Sequence, residues 1–262
     1  FQAEDGIRDF CLSRGLGDVY KRQLLLSVKP YGERAAVIQV LTEHKGLHAG
    51  LIQNAFSRKM NSTLQPSNQL HLNWSSRLEE HLGIYKADLL RSRVDIFLSN
   101  KLALDVFNTI SALCLSTLAE RDPIPGLYKN TTNFLDQITN IKKWEFFYIH
   151  WELNLLASLG YGLDLQKCAA TGTTENLFYI SPKSGKAVCK EKGLKYDKKL
   201  LRFPKILRDL GKNYEFNRSD LLDGLKITGF FLKKCLIDSL QNSQTITIRQ
   251  RLIDTLSNEE NT

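Results

Sequence analysis

Residues 27–74 read SVKPYGERAAVIQVLTEHKGLHAGLIQNAFSRKMNSTLQPSNQLHLNW. A period of two runs through this stretch three times. Ala36, Ile38 and Val40 alternate with Val37, Gln39 and Leu41; Leu47, Ala49 and Leu51 alternate with His48, Gly50 and Ile52; Leu70, Leu72 and Trp74 alternate with Gln69, His71 and Asn73. Gly46 stands where a tight hairpin needs a positive φ. Short strands with an apolar inner face and a mixed outer face predict a small antiparallel barrel that closes on itself and leaves no bare edge. Its outer side and loops carry Lys29, Arg34, Lys45, Arg58, Lys59 and Arg77. A small barrel with a basic face suits a phosphate backbone.

Working outward, residues 24–29 supply what is left of a first strand before the turn Pro30-Tyr31-Gly32, and residues 82–90 supply a fifth. Residues 57–66 read as a polar loop. After Arg91-Ser92-Arg93 the period becomes helical: Leu98, Leu102, Val106, Ile110, Leu113 and Thr117 lie three or four apart. A second helix is expected over 131–141, capped by Asn130 and Thr131. A third, over 143–159, is apolar almost all round and must be central to its body. Residues 163–216 are irregular apart from a short strand at 177–180. Helices over 219–240 and 246–256 close the chain, and residues from 257 onward should fray. The division is therefore a barrel at 24–93, a helical body at 94–256 that contains the irregular 163–216, and a tail at 257–262.

Residues 1–23 (FQAEDGIRDFCLSRGLGDVYKRQ) show neither period and carry four charges of each sign. They resemble an adapter-derived leader and are set aside from the fold, with a genuine N-terminal arm as the alternative.

The formal net charge is +8, and it is concentrated. Residues 24–93 hold nine Lys/Arg against five Asp/Glu, and residues 183–215 hold eleven against four. That pattern favours a polyanionic partner, although solvated loop lysines also account for the second cluster. The longest apolar segment, 144–159, is interrupted by Glu145, His150, Glu152 and Asn154 and falls short of the roughly 20 residues that cross a bilayer. Five cysteines without a pairing pattern predict reduced thiols and a cytoplasmic protein.

Catalytic chemistry leaves no trace in the sequence. G-x-S-x-G, P-loop and H-E-x-x-H patterns are absent, and the carboxylates are scattered, so no enzyme is expected. His44 and His48 are four apart, but the hairpin at Gly46 denies them a shared helical face. Cys168-Ala-Ala-Thr171 and Cys189-Lys-Glu-Lys192 are each one cysteine short of a C-x-x-C pair. A hydroxyl and an ammonium do not replace two thiolates, so no metal and no cofactor is expected.

Taken together, LSVKPYGERAAVIQVLTEHKGLHAGLI, the loop ending Leu64-Gln65-Pro66, and LASLGYGLDLQKCAATG followed by YISPKSGKAVC resemble the RecO family of DNA recombination and repair mediators. The similarity covers residues 24–256. It implies an α+β chain: an N-terminal OB-fold barrel, then a mostly helical domain with a degenerate zinc-finger-like insert at 163–216. It implies a non-enzymatic, cytoplasmic, nucleoid-associated protein that binds single- and double-stranded DNA and anneals strands. By the same resemblance it contacts the C-terminal tail of single-strand binding protein, joins RecR, and indirectly helps RecA load at coated gaps. An RNA-binding OB protein and a pure protein adaptor are the rival readings. Lys29, Arg34, Lys45, Arg58, Lys59 and Arg77 are expected to track phosphates, with Tyr31 or His48 stacking a base. The 183–212 basic cluster is expected either to extend that track or to receive an acidic tail.

Overall fold

In the computed structural model, which describes residues 16–78, 81–140, 143–208, 216–236 and 242–258, the period-two stretches close into a five-stranded barrel. Its strands are β1 (Leu16–Tyr31), β2 (Ala35–Thr42), β3 (Leu47–Ile52), β4 (Gln69–Ser76) and β5 (Ile84–Arg91), in the order β1-β2-β3-β5-β4. Every pairing is antiparallel except β3 with β5, which meet in parallel at Leu51 and Ile84. The long β1 serves two neighbours. Its first half pairs with β4 and its second with β2, and irregularities near Tyr20/Gln23 and Leu25/Ser27 let it bend between them. Residues 16–23 are thus barrel strand, which corrects the placement of that part of 1–23 outside the fold. Residues 1–15 lie outside the described residues.

Inside, Leu25, Ala36, Ile38, Val40, Leu70, Leu72, Trp74 and Tyr85 form the core. On β3 the inner face is His48, Gly50 and Ile52 rather than Leu47, Ala49 and Leu51. Tyr85 explains the inversion. A Cβ on Gly50 would lie 2.3 Å from the Tyr85 ring, so the ring fills the space that glycine leaves. Its hydroxyl then meets His48 Nδ1 at 2.6 Å. A polar residue and a glycine can line a core when one aromatic side chain serves both.

The polar run after β3 is not all loop. Ser57 caps a short helix, α1 (Arg58–Thr63), by accepting the Met60 N–H. Met60 packs with Ala55 and Leu64 against the barrel core, closing one end. Arg93 is fully buried, its Nη1 donating to the Ser67 carbonyl at 2.9 Å. It is a structural cation, not a surface one. The expected first helix is two: α2 (Val94–Ser99) and α3 (Lys101–Thr117), separated by Asn100 in an extended conformation.

The chain divides into two compact units. One is Phe1–Asn100 with Ala119–Lys129; the other is Lys101–Leu118 with Asn130–Thr262. The barrel unit therefore takes back a segment expected in the helical body, because the β3 edge recruits it. Leu47 bridges Glu120, the Arg121 N–H donates to the Leu47 carbonyl at 2.8 Å, and Glu120 Oε1 accepts the Ala49 N–H at 3.3 Å. Arg121 also lies over the Trp74 ring and donates to the His81 carbonyl.

In the second unit, α5 (Trp144–Ser158) packs against α8 (Arg218–Leu236), and α9 (Asn242–Asn258) lies against α3 and α8. The preceding helix, α4 (Leu127–Gln137), starts before the predicted caps. Thr131 is buried and accepts the Trp151 Nε1–H at 2.9 Å instead of capping. Glu152, fully buried on α5, is bonded through both oxygens by Arg249 of α9 at 2.7 and 2.8 Å. Tyr148 and Thr228 donate to the same carboxylate. The strand expected at 177–180 is β6 (Leu177–Ile180), and it lies in a three-stranded sheet between β7 (Ala187–Cys189) and β8 (Leu201–Arg202), two strands where irregular chain was expected. Ser257 and Asn258 are helical in α9 rather than frayed, and residues 259–262 lie outside the described residues. The predicted extension of α8 to 240 falls outside the described residues.

Candidate nucleic-acid interface

Backbone pairing decides which of the six predicted cations share a place. The β1–β2 turn, where Gly32 takes φ +65°, carries Arg34, whose carbonyl accepts the Ala55 N–H at 2.8 Å. That bond joins the turn to the connection leading into α1, so Arg34, Arg58 and Lys59 lie at one end of the barrel. Lys29 sits in the outward row that runs Lys29–Val37–Leu51–Ile84–Ser75 across all five strands. Arg77, just past β4, lines an open groove of about 530 Å³ with Leu51, Leu82 and Ile84 of the same row and loop. The loop is pinned: Trp74 Nε1 donates to the Leu82 carbonyl at 3.1 Å, and a Cβ on Gly83 would lie 2.2 Å from that nitrogen. Lys29, Arg34, Arg58, Lys59 and Arg77 are all exposed. Among the described residues no carboxylate forms an ion pair with any of the five.

Lys45 is apart from them. It lies in the β2–β3 hairpin, at the other end of an eight-residue strand, roughly 25 Å from Arg34 at strand rise. Near it the outer face is covered, with Leu41 and Leu47 buried. The Val37–Leu51–Ile84 row is more open, with Lys29 beside Val37 and Arg77 in the groove that Leu51 and Ile84 line.

Two aromatics stand beside those cations. Tyr31 is 63% exposed and Phe56 49% exposed, one closing β1 at the β1–β2 turn and the other in the connection tied to that turn. Phe56 escaped the sequence reading. Its signal was a large aromatic in a polar run immediately before the cap Ser57 of a helix whose apolar side is already supplied by Met60 and Leu64. His48, the other predicted stacking group, is buried, with its ring edge-on to Trp74 at 5.4 Å and bonded to Tyr85. That corrects its role. Desolvation and the nearby Arg121 hold its pKa below the ordinary histidine value.

A second basic surface lies in the other unit. After β7 the chain forms a short arm: α6 (Lys190–Gly193), a 3-10 turn (Leu194–Lys199), then β8 and α7 (Lys205–Arg208). Gly193 lets the arm close on the sheet, since a Cβ there would lie 2.2 Å from the buried Tyr179 ring. The Tyr179 hydroxyl donates to Asp197 at 2.8 Å, and Arg202 pairs with the same carboxylate at 3.0 Å. Arg202 also lies 4.8 Å from the centre of the Phe178 ring. With Asp197 spent internally, the ten Lys/Arg from 183 to 208 all face solvent, beside exposed Leu194 and Tyr196. Lys212 lies outside the described residues.

The cysteines of the 163–208 segment do not fit zinc. Cys168 Sγ accepts the Cys189 N–H at 3.2 Å, and Thr171 Oγ1 lies 3.9 Å from Cys189 Sγ. The positions beside the two sulfurs are thus taken by an amide and a hydroxyl, and two thiols are half of a tetrahedral set. Burial alone would raise the Cys168 thiol. The Thr171 side chain and the backbone N–H groups of Cys189, Ala170 and Thr171 outweigh it and bring the pKa down to about 6. Among the described residues no three His, Cys, Asp or Glu side chains gather as metal ligands, and no helix is long and apolar enough to cross a membrane.

A five-stranded barrel with exposed cations at its β1–β2 and β4–β5 turns and exposed aromatics beside the first, followed by a helical unit, defines an α+β protein of the OB-fold class. The family description "Recombination protein O N terminal" matches residues 19–93, and "Recombination protein O C terminal" matches 103–242. The DNA repair protein RecO of Ruegeria sp. (strain TM1040) is 44% identical over 234 residues, covering 89% of this chain and 96% of the relative. That of Dinoroseobacter shibae is 37% identical over 234 residues, covering 89% and 95%. The chain belongs to the RecO family, and with it to the proteins of DNA repair and recombination.

Proposed function

We propose that the barrel end bearing Lys29, Arg34, Arg58, Lys59 and Arg77 tracks the phosphates of a single DNA strand while Tyr31 and Phe56 stack its bases. The observation that carries this reading is the Ala55–Arg34 hydrogen bond, which joins the turn holding Arg34, next to exposed Tyr31, to the connection holding exposed Phe56, Arg58 and Lys59, cations without a carboxylate partner among the described residues. Stacking tolerates any base and backbone contacts read none, so sequence preference is weak. The chemistry asked of the protein is holding and pairing strands, not bond cleavage. It anneals complementary strands at the nucleoid, and the basic arm 190–199 takes either the second strand or the acidic tail of single-strand binding protein. RecR is the partner with which it prepares gaps for RecA. Lys45 contributes as an outlying contact to longer strands.

Salt dependence tests the proposal. Five phosphates neutralised on a single strand give a slope of about −3.5 for log K against log salt. Arg58→Glu with Lys59→Glu should make that slope shallower by about 1 or more and weaken binding while leaving the thermal transition in place. Tyr31→Ala with Phe56→Ala should weaken binding with the slope unchanged. A slope near zero, or wild-type affinity in the charge-reversed variant, refutes the reading. Tighter binding of RNA than of DNA of the same sequence would redirect it to RNA.

A further inference from the structure

Cys168 and Cys189 share one small shelf. The turn 168–172 is stitched to β7 by the Ala169 N–H, which donates to the Ala187 carbonyl at 2.8 Å, and closed on itself by Gly172 N–H to the Cys168 carbonyl. That stitching brings Cys168 Sγ within 3.2 Å of the backbone nitrogen of Cys189, so the second side chain starts beside the first sulfur. The Thr171 hydroxyl sits against Cys189 Sγ at 3.9 Å. Both thiols are buried, at 2% and 4% exposure, yet the cover is thin, since residues 169–172 are all exposed. Cys114 is the contrast: it is fully buried in α3, where desolvation pushes its thiol up to about 12.

We propose that Cys168 and Cys189 are a reversible oxidation site, a dithiol clasp standing where a metal would otherwise close this segment. Its oxidant class is a hydroperoxide. The Cys168 sulfur attacks the O–O bond, an alcohol or water leaves, and Cys168 becomes a sulfenic acid, having given up two electrons. The Cys189 sulfur then attacks Cys168, the S–O bond breaks, water leaves with the Cys189 proton, and a disulfide remains. A dithiol reductant returns both thiols by exchange. Position gives the clasp a consequence. Cys189 is the residue immediately before α6, so the disulfide ties the root of the basic arm to the 168–172 turn. The site stands on its own geometry and does not depend on DNA binding.

The test uses the full, reduced chain, titrated with hydrogen peroxide and followed by intact mass and peptide mapping, without nucleic acid. The expected result is a Cys168–Cys189 cross-link with loss of two hydrogens, formed before Cys235 is modified and reversed by dithiothreitol. Cys189→Ser should trap a sulfenic acid on Cys168 that a diketone probe labels. A chelator should leave the thermal transition unmoved. The proposal is overturned if both thiols stay reduced while Cys235 oxidises, or if Cys168 passes to sulfinic acid with Cys189 untouched. Stoichiometric zinc in the purified protein also overturns it. Mapping of the wild-type chain decides between these outcomes by itself, even where Cys189→Ser folds poorly.

Discussion

Replacing Arg249 with methionine should unfold the helical unit at markedly lower denaturant or temperature. The guanidinium makes four hydrogen bonds: Nε to Glu152 Oε1, and Nη2 to Glu152 Oε2, the Leu225 carbonyl and Thr228 Oγ1, all between 2.7 and 3.0 Å. Arg249 is 8% exposed and Glu152 fully buried, so the substitution leaves a carboxylate in the interior with only the Tyr148 and Thr228 hydroxyls to serve it. Removing one partner of such a pair costs about 3–5 kcal/mol. For a unit of this size each kcal/mol moves the midpoint by about 2–4 °C, so a loss on the order of 10 °C is expected. The second arm is Glu152→Met combined with Arg249→Met. With both charges gone the desolvation penalty goes too, and the double variant should lie closer to wild type than either single one. Urea unfolding of all four proteins gives the coupling directly. A cost below about 1 kcal/mol for Arg249→Met, or additive single effects, would show that the carboxylate is already solvated and the reasoning wrong.

Two further outcomes concern the barrel. The folded state holds His48 below the 6.5 of an unperturbed imidazole, so the unfolded chain binds more protons as pH falls through that value. The associated stability is full above about pH 6.5 and is lost below it; melting from pH 7.5 to 5 should show a slope that His48→Gln flattens, and parallel curves would count against it. Gly50→Ala drives a methyl into the Tyr85 ring at 2.3 Å and should destabilise by about 1–3 kcal/mol. Tyr85→Leu in the same chain should recover part of that in denaturant titrations, and no recovery would place the clash elsewhere.

What could be read from residues alone was the period. Three alternating stretches around Gly46 predict the barrel because the alternation of side chains across a sheet is local. The facing of β3 was not legible, since Leu47, Ala49 and Leu51 look more apolar than His48, Gly50 and Ile52. Only Tyr85, 35 residues beyond Gly50, makes the second set the inner one. The convergence of Arg34 with Phe56 was hidden for a similar reason: it depends on one backbone hydrogen bond between loops 21 residues apart. The arm's charge could be counted, whereas its anchoring by Tyr179 and Asp197 is tertiary.

The return of residues 119–129 to the seam beside β3 bears on how this protein can be cut apart. A fragment ending at residue 93 looks like a whole OB domain by pattern, yet it would lose the strip that satisfies the Leu47 carbonyl and the Ala49 amide. Such a fragment would present a fresh strand margin to its neighbours in solution, and self-association would then be mistaken for a native property.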